Sequence, residues 1–145
     1  MMDNLYLLVE LAGQTAILPA GFVESVVEID DVTPVPCVAP HVLGLFALRS
    51  RVLTVIDSTA ALECGRHARS KAMQAVIVTV DGHLYGLLVD HVEDVIAIDG
   101  APMPPRALLS PVWQRMTKGV LDHDGKPLLL IDIPALIEGP LAVAA

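Results

Sequence analysis

Basic residues are scarce in this sequence: nine Lys and Arg stand against seventeen Asp and Glu, and the formal net charge is −8. Nucleic-acid binding needs a basic face that neutralises phosphates, so this balance argues against a nucleic-acid partner. The only basic cluster lies within residues 66–71 and has no aromatic residues between its charges. We interpret this cluster as a solvated link between two halves of the chain.

Cysteine is also rare, and this limits the role of disulfides. Cys37 and Cys64 lie in different segments of the first half and have no counterparts in the second, so no repeated disulfide framework is predicted. The N-terminal residues MMDNLYLLVE lack the basic region and small-residue cleavage site of a secretory signal. We therefore expect reduced thiols and a cytoplasmic protein.

Long hydrophobic runs are missing although hydrophobic residues make up 54% of the chain and the mean hydropathy is +0.62. The longest uncharged apolar run, Val32–Leu48, is interrupted by prolines and is too short to span a bilayer. We predict no transmembrane helix and no direct insertion into a membrane.

Signatures of catalysis are absent as well. The sequence contains no G-x-S-x-G, no H-E-x-x-H and no phosphate-binding glycine loop, and its histidines lack the spacing of a zinc site. Asp57 and Asp132 both follow an apolar run in the same way, which favours helix capping over a catalytic carboxylate pair. We therefore predict that the protein is not an enzyme, and we assign no catalytic, cofactor-binding or metal-binding residues.

An internal duplication is the strongest positive signal. Val9–Asp30 shifted by 69 positions onto Val78–Asp99 gives eight identities in twenty-two positions. A second segment matches at an offset of 75, where Gly44, Asp57 and four other residues recur after a Pro-rich stretch. The chain is thus two copies of one unit, and each copy of about 70 residues is too small to be stable without its twin.

Short apolar runs separated by turn residues predict about five strands in each copy, so we predict an all-β protein. Asp81-Gly82 and Asp124-Gly125 separate apolar runs and are typical hairpin turns, because glycine tolerates the positive φ of such turns. A short helix is expected after each Ile-Asp, at Asp57 and at Asp132. Two small barrels packed side by side would leave a cleft where they meet. We place the first barrel at about 15–70 and the second at about 75–130, with exchange of terminal strands left open.

Several short motifs occur in an order that resembles the CheW family of bacterial chemotaxis adaptors. The family signature V-x-E-I is similar to residues 26–29, and the family's G-V-x-N-L-R-G turn is similar to residues 44–50. In the second half, residues 86–92 resemble G-L-x-V-D-x-V, and residues 118–132 resemble the closing hairpin. The resemblance covers nearly the whole chain, 1–145, as a single CheW-like domain.

This resemblance implies a fold and a function. The fold is two intertwined five-stranded barrels of the Src-homology-3-like kind, without enzymatic activity. The function is to couple the cytoplasmic helical tip of a chemoreceptor to the regulatory domain of the chemotaxis histidine kinase. The protein would then be cytoplasmic and recruited to membrane-associated receptor arrays. An apolar groove between the barrels would accept an amphipathic helical hairpin.

Four candidate partner-binding residues follow from the motif positions: Val26 and Glu28 of V-x-E-I, Gly44 of the following turn motif, and Arg49 of its Leu-Arg pair. Val26 offers apolar area, Gly44 close backbone approach and Arg49 a forked set of donors. Val26 and Gly44 also recur in the second copy, as Val95 and Gly119, so a structural role remains open for them.

Glu28 and Arg49 have unlike counterparts, Ala97 and Asp124, so the shared fold does not require their side chains. The turn itself departs from the family pattern, because Ala47 and Ser50 replace Asn and Gly. Two alternatives therefore stay open: an array-structural or parallel-pathway protein that lacks one interface, or a small-molecule-binding double barrel. For the latter, Gln14, Thr15 and Tyr85 are the few polar candidates.

Overall fold

Ten strands form most of the fold in the computed structural model, which describes residues 4–30, 32–36, 38–65, 73–104 and 110–139. The predicted all-β class is confirmed. In chain order the strands are β1 Leu5–Leu11, β2 Gln14–Pro19, β3 Val23–Ile29, β4 Val42–Leu48, β5 Arg51–Ile56, β6 Met73–Val80, β7 His83–Val89, β8 His91–Ala97, β9 Thr117–His123 and β10 Lys126–Ile131.

Three short α-helices accompany them, α1 Ser58–Ala61, α2 Pro111–Met116 and α3 Ile133–Glu138, and residues Ala20–Phe22 form a 3-10 turn. The two predicted caps are confirmed. The Asp57 carboxylate accepts a hydrogen bond from the Ala60 backbone N–H at 3.1 Å, and the Asp132 carboxylate accepts one from Ala135 at 3.2 Å. Each carboxylate therefore satisfies a backbone donor at the start of a helix.

Two predicted hairpin turns are also confirmed. Asp81 and Gly82, between β6 and β7, have φ of 51° and 79°. Asp124 and Gly125, between β9 and β10, have φ of 53° and 77°. Positive φ at both central residues matches the right-handed twist of the flanking strands, so these turns pair the strands in register.

The strands form two five-stranded sheets that mix the two sequence copies. One sheet has the order β3-β6-β7-β5-β4, and the other has the order β8-β1-β2-β10-β9. We call them the central barrel and the terminal barrel. Each copy contributes its first hairpin, β1–β2 or β6–β7, to the barrel built on the other copy's remaining strands. Strand membership thus departs from the expected limits of 15–70 and 75–130.

Short connections account for this exchange. Only Asp90 separates β7 from β8, and a single residue is too short for a hairpin turn, so the chain passes from the central to the terminal barrel. Residues Ala20–Phe22 make the reverse passage between β2 and β3. The two barrels are therefore intertwined, as the family resemblance implied.

Buried side chains form three clusters: one inside each barrel and a larger one between the barrels. The central barrel encloses Ile29, Leu53 and Leu88, among others, and the terminal barrel encloses Ile17 and Leu130. The interbarrel core consists of Leu7, Val9, Leu11, Ala16, Leu18, Ile56, Ala61, Leu62, Val76, Val78, Leu87, Val89, Val112, Trp113, Met116, Ile131, Ile133 and Leu136. Neither copy can bury this face alone, so the barrels stabilise each other.

Candidate functional site

The outer face of β3 carries two of the predicted site residues. Along this strand the side chains of Glu24, Val26 and Glu28 are exposed while the residues between them are more buried, which is the alternation expected of a strand with one solvated face. Val26 is 40% exposed, yet it pairs across the sheet with Val76, a fully buried residue of the interbarrel core. Val26 therefore presents an exposed apolar side chain on an edge strand whose hydrogen-bonded neighbour, β6, belongs to the interbarrel core.

Gly44, the third predicted residue, lies in β4 against its own chain. A Cβ atom at this position would lie 2.2 Å from the carbonyl oxygen of Thr33 and 2.9 Å from a methyl group of Val32. Thr33 and Leu45 exchange two backbone hydrogen bonds of 2.9 and 2.8 Å at this point, and these connect the segment after β3 to β4. The close backbone approach at Gly44 is therefore made by Thr33.

Its counterpart Gly119 has the same environment in the terminal barrel. A Cβ atom there would lie 2.7 Å from Pro102 Cβ, and Met103 exchanges two backbone hydrogen bonds with Val120. Part of the Pro-rich stretch, residues 101–104, therefore crosses β9, whereas residues 105–109 lie outside the described part of the chain. Both glycines permit a crossing segment to close its barrel.

Arg49, the fourth predicted residue, occupies the turn between β4 and β5. Its φ is 59°, in the left-handed region that is unusual for a non-glycine residue, and its side chain is exposed. In the matching turn of the terminal barrel both Asp124 and Gly125 have positive φ, whereas in this turn Ser50 does not. Ser50 therefore stands where the equivalent turn has Gly125, and the two turns differ in backbone geometry. The side chain of Arg49 is exposed to solvent in this turn.

An ion pair that the motif comparison did not reveal joins the two elements that carry these residues. The Arg51 guanidinium, at the start of β5, donates a hydrogen bond of 2.5 Å to the Glu24 carboxylate on β3. This hydrogen bond holds the pKa of Glu24 below its usual value and raises the pKa of Arg51. The Thr79 hydroxyl adds a longer contact of 3.5 Å to the same carboxylate.

The four predicted residues lie on the two edge strands of the central barrel's sheet, β3 and β4, and on the turn that follows β4. Among the described residues, no hydrogen bond or ion pair joins any two of Val26, Glu28 and Arg49. Glu24 and Arg51 provide the link between β3 and the β4–β5 turn. Sequence reasoning missed them because an ion pair between distant strands leaves no local pattern, although both residues flank the motifs that were found.

A cleft lies beside the interbarrel core, next to α1 and α2. It has a volume of about 690 Å³, and apolar residues such as Leu62, Val112 and Trp113 line it together with the polar residues Glu63, Ser110 and Arg115. Trp113 is only 9% exposed, so it packs in the core. Of the polar residues expected for a small-molecule site, Gln14 alone lines this cleft.

Within the described ranges, no helix is long and apolar enough to cross a membrane, and no group of three or more metal-ligating side chains is found. Cys64 is an exposed free thiol. Cys37 and the basic cluster at 66–71 lie outside the described residues.

Two five-stranded barrels that exchange hairpins and share one core define a class of intertwined double-barrel β proteins. The family model of the CheW-like domain matches residues 5–140. This chain belongs to the CheW-like domain family.

Individual relatives agree with this assignment. The chemotaxis protein CheW of Rhizobium meliloti is 30% identical over 107 residues, covering 72% of this chain and 68% of that protein. The chemotaxis protein CheW of Thermotoga maritima is 30% identical over 131 residues, covering 89% and 84%. The crystal structure of the scaffolding protein TtCheW from Thermoanaerobacter tengcongensis superposes with a TM-score of 0.77 at 26% identity, over 92% of this chain and 86% of that one.

Proposed function

We propose that this chain is a non-enzymatic adaptor of bacterial chemotaxis, which couples the cytoplasmic tip of a chemoreceptor to the regulatory domain of the histidine kinase. It acts in the cytoplasm and is recruited to membrane-associated receptor arrays. The family membership and the chemotaxis names of its relatives support this role. No cofactor enters the proposal, because a connector acts by holding its partners at a fixed geometry.

The observation that carries the proposal is the exposed Val26 between two glutamates beside the interbarrel core. Val26 is 40% exposed next to buried apolar surface, so a partner helix can bury apolar area against it, and the exposed Glu28 carboxylate on the same strand lies at the polar rim of that interface. Arg49 adds exposed donors on the neighbouring turn. We assign partner contacts to Val26, Glu28 and Arg49.

Gly44 has a different part in this proposal. Its Cα faces the Thr33 backbone, so the residue acts on a partner only through the shape of the barrel. We assign it to barrel closure, which keeps the strand that precedes the Arg49 turn in place.

An array-structural or parallel-pathway protein is the second candidate function. The observation that favours it is the changed turn, in which Arg49 and not Ser50 takes the positive φ. A different presentation of Arg49 is expected to alter one interface and leave the fold intact.

A binding assay with purified fragments tests both candidates. The chain is mixed with a chemoreceptor cytoplasmic fragment or with the kinase regulatory domain of the same organism, beside Arg49→Ala and Glu28→Ala. Asp124→Ala is the matched control, because Asp124 takes the same positive φ in the equivalent turn of the terminal barrel.

Binding of both partners, weakened by one of the two variants and not by the control, supports the adaptor. Binding of a single partner supports the second candidate. If neither partner binds, the proposal is wrong. A small-molecule binder would instead show saturable thermal stabilisation by a metabolite.

A further inference from the structure

The Glu24–Arg51 ion pair connects the two elements that the proposed partner surface uses. Glu24 lies two residues before Val26 on β3, and Arg51 lies two residues after Arg49 at the start of β5. The carboxylate and guanidinium are separated by 2.5 Å, with side-chain exposures of 38% and 51%. The pair is thus solvent-exposed, and such pairs contribute little to global stability.

The position of Glu24 in its strand shows why it reaches Arg51. The register of β3 against β6 shifts between Val23 and Ser25, so Glu24 is the extra residue of a β-bulge. A bulge redirects a side chain and increases the local twist of its strand. The carboxylate of Glu24 therefore lies where the β5 end of the β4–β5 hairpin can contact it.

The terminal barrel repeats the bulge without the ion pair. Asp94 pairs with Leu8 and Val92 pairs with Val9, which leaves Glu93, the counterpart of Glu24, as the extra residue of β8. The counterpart of Arg51 is Lys126, at the start of β10. No ion pair between Glu93 and Lys126 is found among the described residues of this barrel, where His123 instead lies 3.5 Å from the Asp124 carboxylate. The shared fold therefore forms the bulge without needing a pair across it.

We propose that Glu24 and Arg51 are a positioning pair, which holds the β4–β5 turn beside β3 so that Arg49 and Val26 meet one partner together. This inference rests on the proposed function, because it concerns the same surface. Arg49 itself sits in a strained left-handed conformation at an exposed two-residue turn. An ion pair at Arg51, the first residue of β5 after this turn, limits how far the turn can move. The pair acts through Arg49 and is not itself a partner contact.

A set of matched variants tests the pair through affinity. Binding of the chemoreceptor cytoplasmic fragment is measured by calorimetry for the full chain, Glu24→Gln, Arg51→Gln and the exchanged double variant Glu24→Arg with Arg51→Glu. Each single variant is expected to bind about fivefold more weakly, and the exchanged pair is expected to recover to within about twofold. Thermal midpoints are expected to stay unchanged. Glu93→Gln, at the equivalent bulge, is the control and is expected to bind like the unaltered chain.

A second measurement does not depend on the partner. Backbone relaxation reports the order of the turn, and Glu24→Gln is expected to increase the mobility of Arg49 and Ser50. Glu93→Gln is expected to leave the β9–β10 turn unchanged. We also expect the effects of the two residues on affinity to be coupled. Adding Arg49→Ala to the Glu24→Gln variant is expected to weaken binding of the chemoreceptor fragment less than adding it to the unaltered chain.

The possible outcomes separate the inference from the function on which it rests. If the fragment binds but the single variants bind as tightly as the unaltered chain, or turn mobility does not change, the positioning pair is refuted and the adaptor remains. If the exchanged variant fails to recover although it melts normally, the pair is again refuted. If the unaltered chain binds no fragment, the adaptor fails, and the inference about partner contact fails with it.

Discussion

Replacing Gly44 with alanine is expected to destabilise the protein and not to act as a simple contact mutation. The added Cβ would lie 2.2 Å from the Thr33 oxygen and 2.8 Å from its carbonyl carbon, so the backbone of the crossing segment must move. That movement breaks two hydrogen bonds between Thr33 and Leu45, worth about 1 kcal/mol each. The φ of 152° adds strain of about 1 kcal/mol. We expect a total loss of about 3 kcal/mol.

Thermal and urea unfolding measure this loss. For a chain of this size, about 3 kcal/mol corresponds to a fall in the melting midpoint of about 10 °C. Gly21→Ala is the control, because a Cβ there meets no atom within 4 Å and no positive φ is required, and it is expected to change stability by less than about 0.5 kcal/mol. A normal midpoint for Gly44→Ala together with lost partner binding would refute the reasoning, since Gly44 would then be a contact residue.

Three further predictions concern the core, a cap and the ion pair. Leu87→Ala empties a fully buried position of the interbarrel core and is expected to cost about 3 kcal/mol in urea unfolding; a loss under about 1 kcal/mol would contradict that core. Asp132→Ala removes the cap of α3 and is expected to cost about 1 kcal/mol, whereas no change would mean that the cap is not needed. Because the pKa of Glu24 is lowered in the fold, its ion pair is complete above the usual glutamate pKa of about 4.3 and is lost as the pH falls through the lowered value. Carbon-13 titration of the Glu24 carboxyl checks this, and a midpoint at or above the usual value would contradict it.

The fold was predictable from sequence because duplication and turn chemistry are local signals. The Asp81-Gly82 pair predicted a tight hairpin, and the Asp132 that follows an apolar run predicted the start of a helix. The hairpin exchange between the copies was not predictable in the same way. It follows from the one-residue connection at Asp90, and residue patterns do not locate the ends of strands to within one residue.

The candidate site was only partly predictable. Exposure of Val26 follows from strand alternation, since Glu24 and Glu28 share its face. The surroundings of Gly44 depend on a segment eleven residues away that crosses β4, and the Arg51 ion pair depends on a bulge in another strand. Both are consequences of tertiary packing, which periodicity and motif spacing do not encode.

The most direct test of the adaptor role is a reconstitution that requires the chain to bridge two partners. Receptor cytoplasmic fragments are assembled on vesicles, the histidine kinase is added with or without the chain, and the kinase that sediments with the vesicles is measured. The adaptor account predicts that kinase sediments in proportion to the added chain, and that Arg49→Ala reduces this recovery while Asp124→Ala does not. Equal sedimentation of kinase with and without the chain would contradict the account.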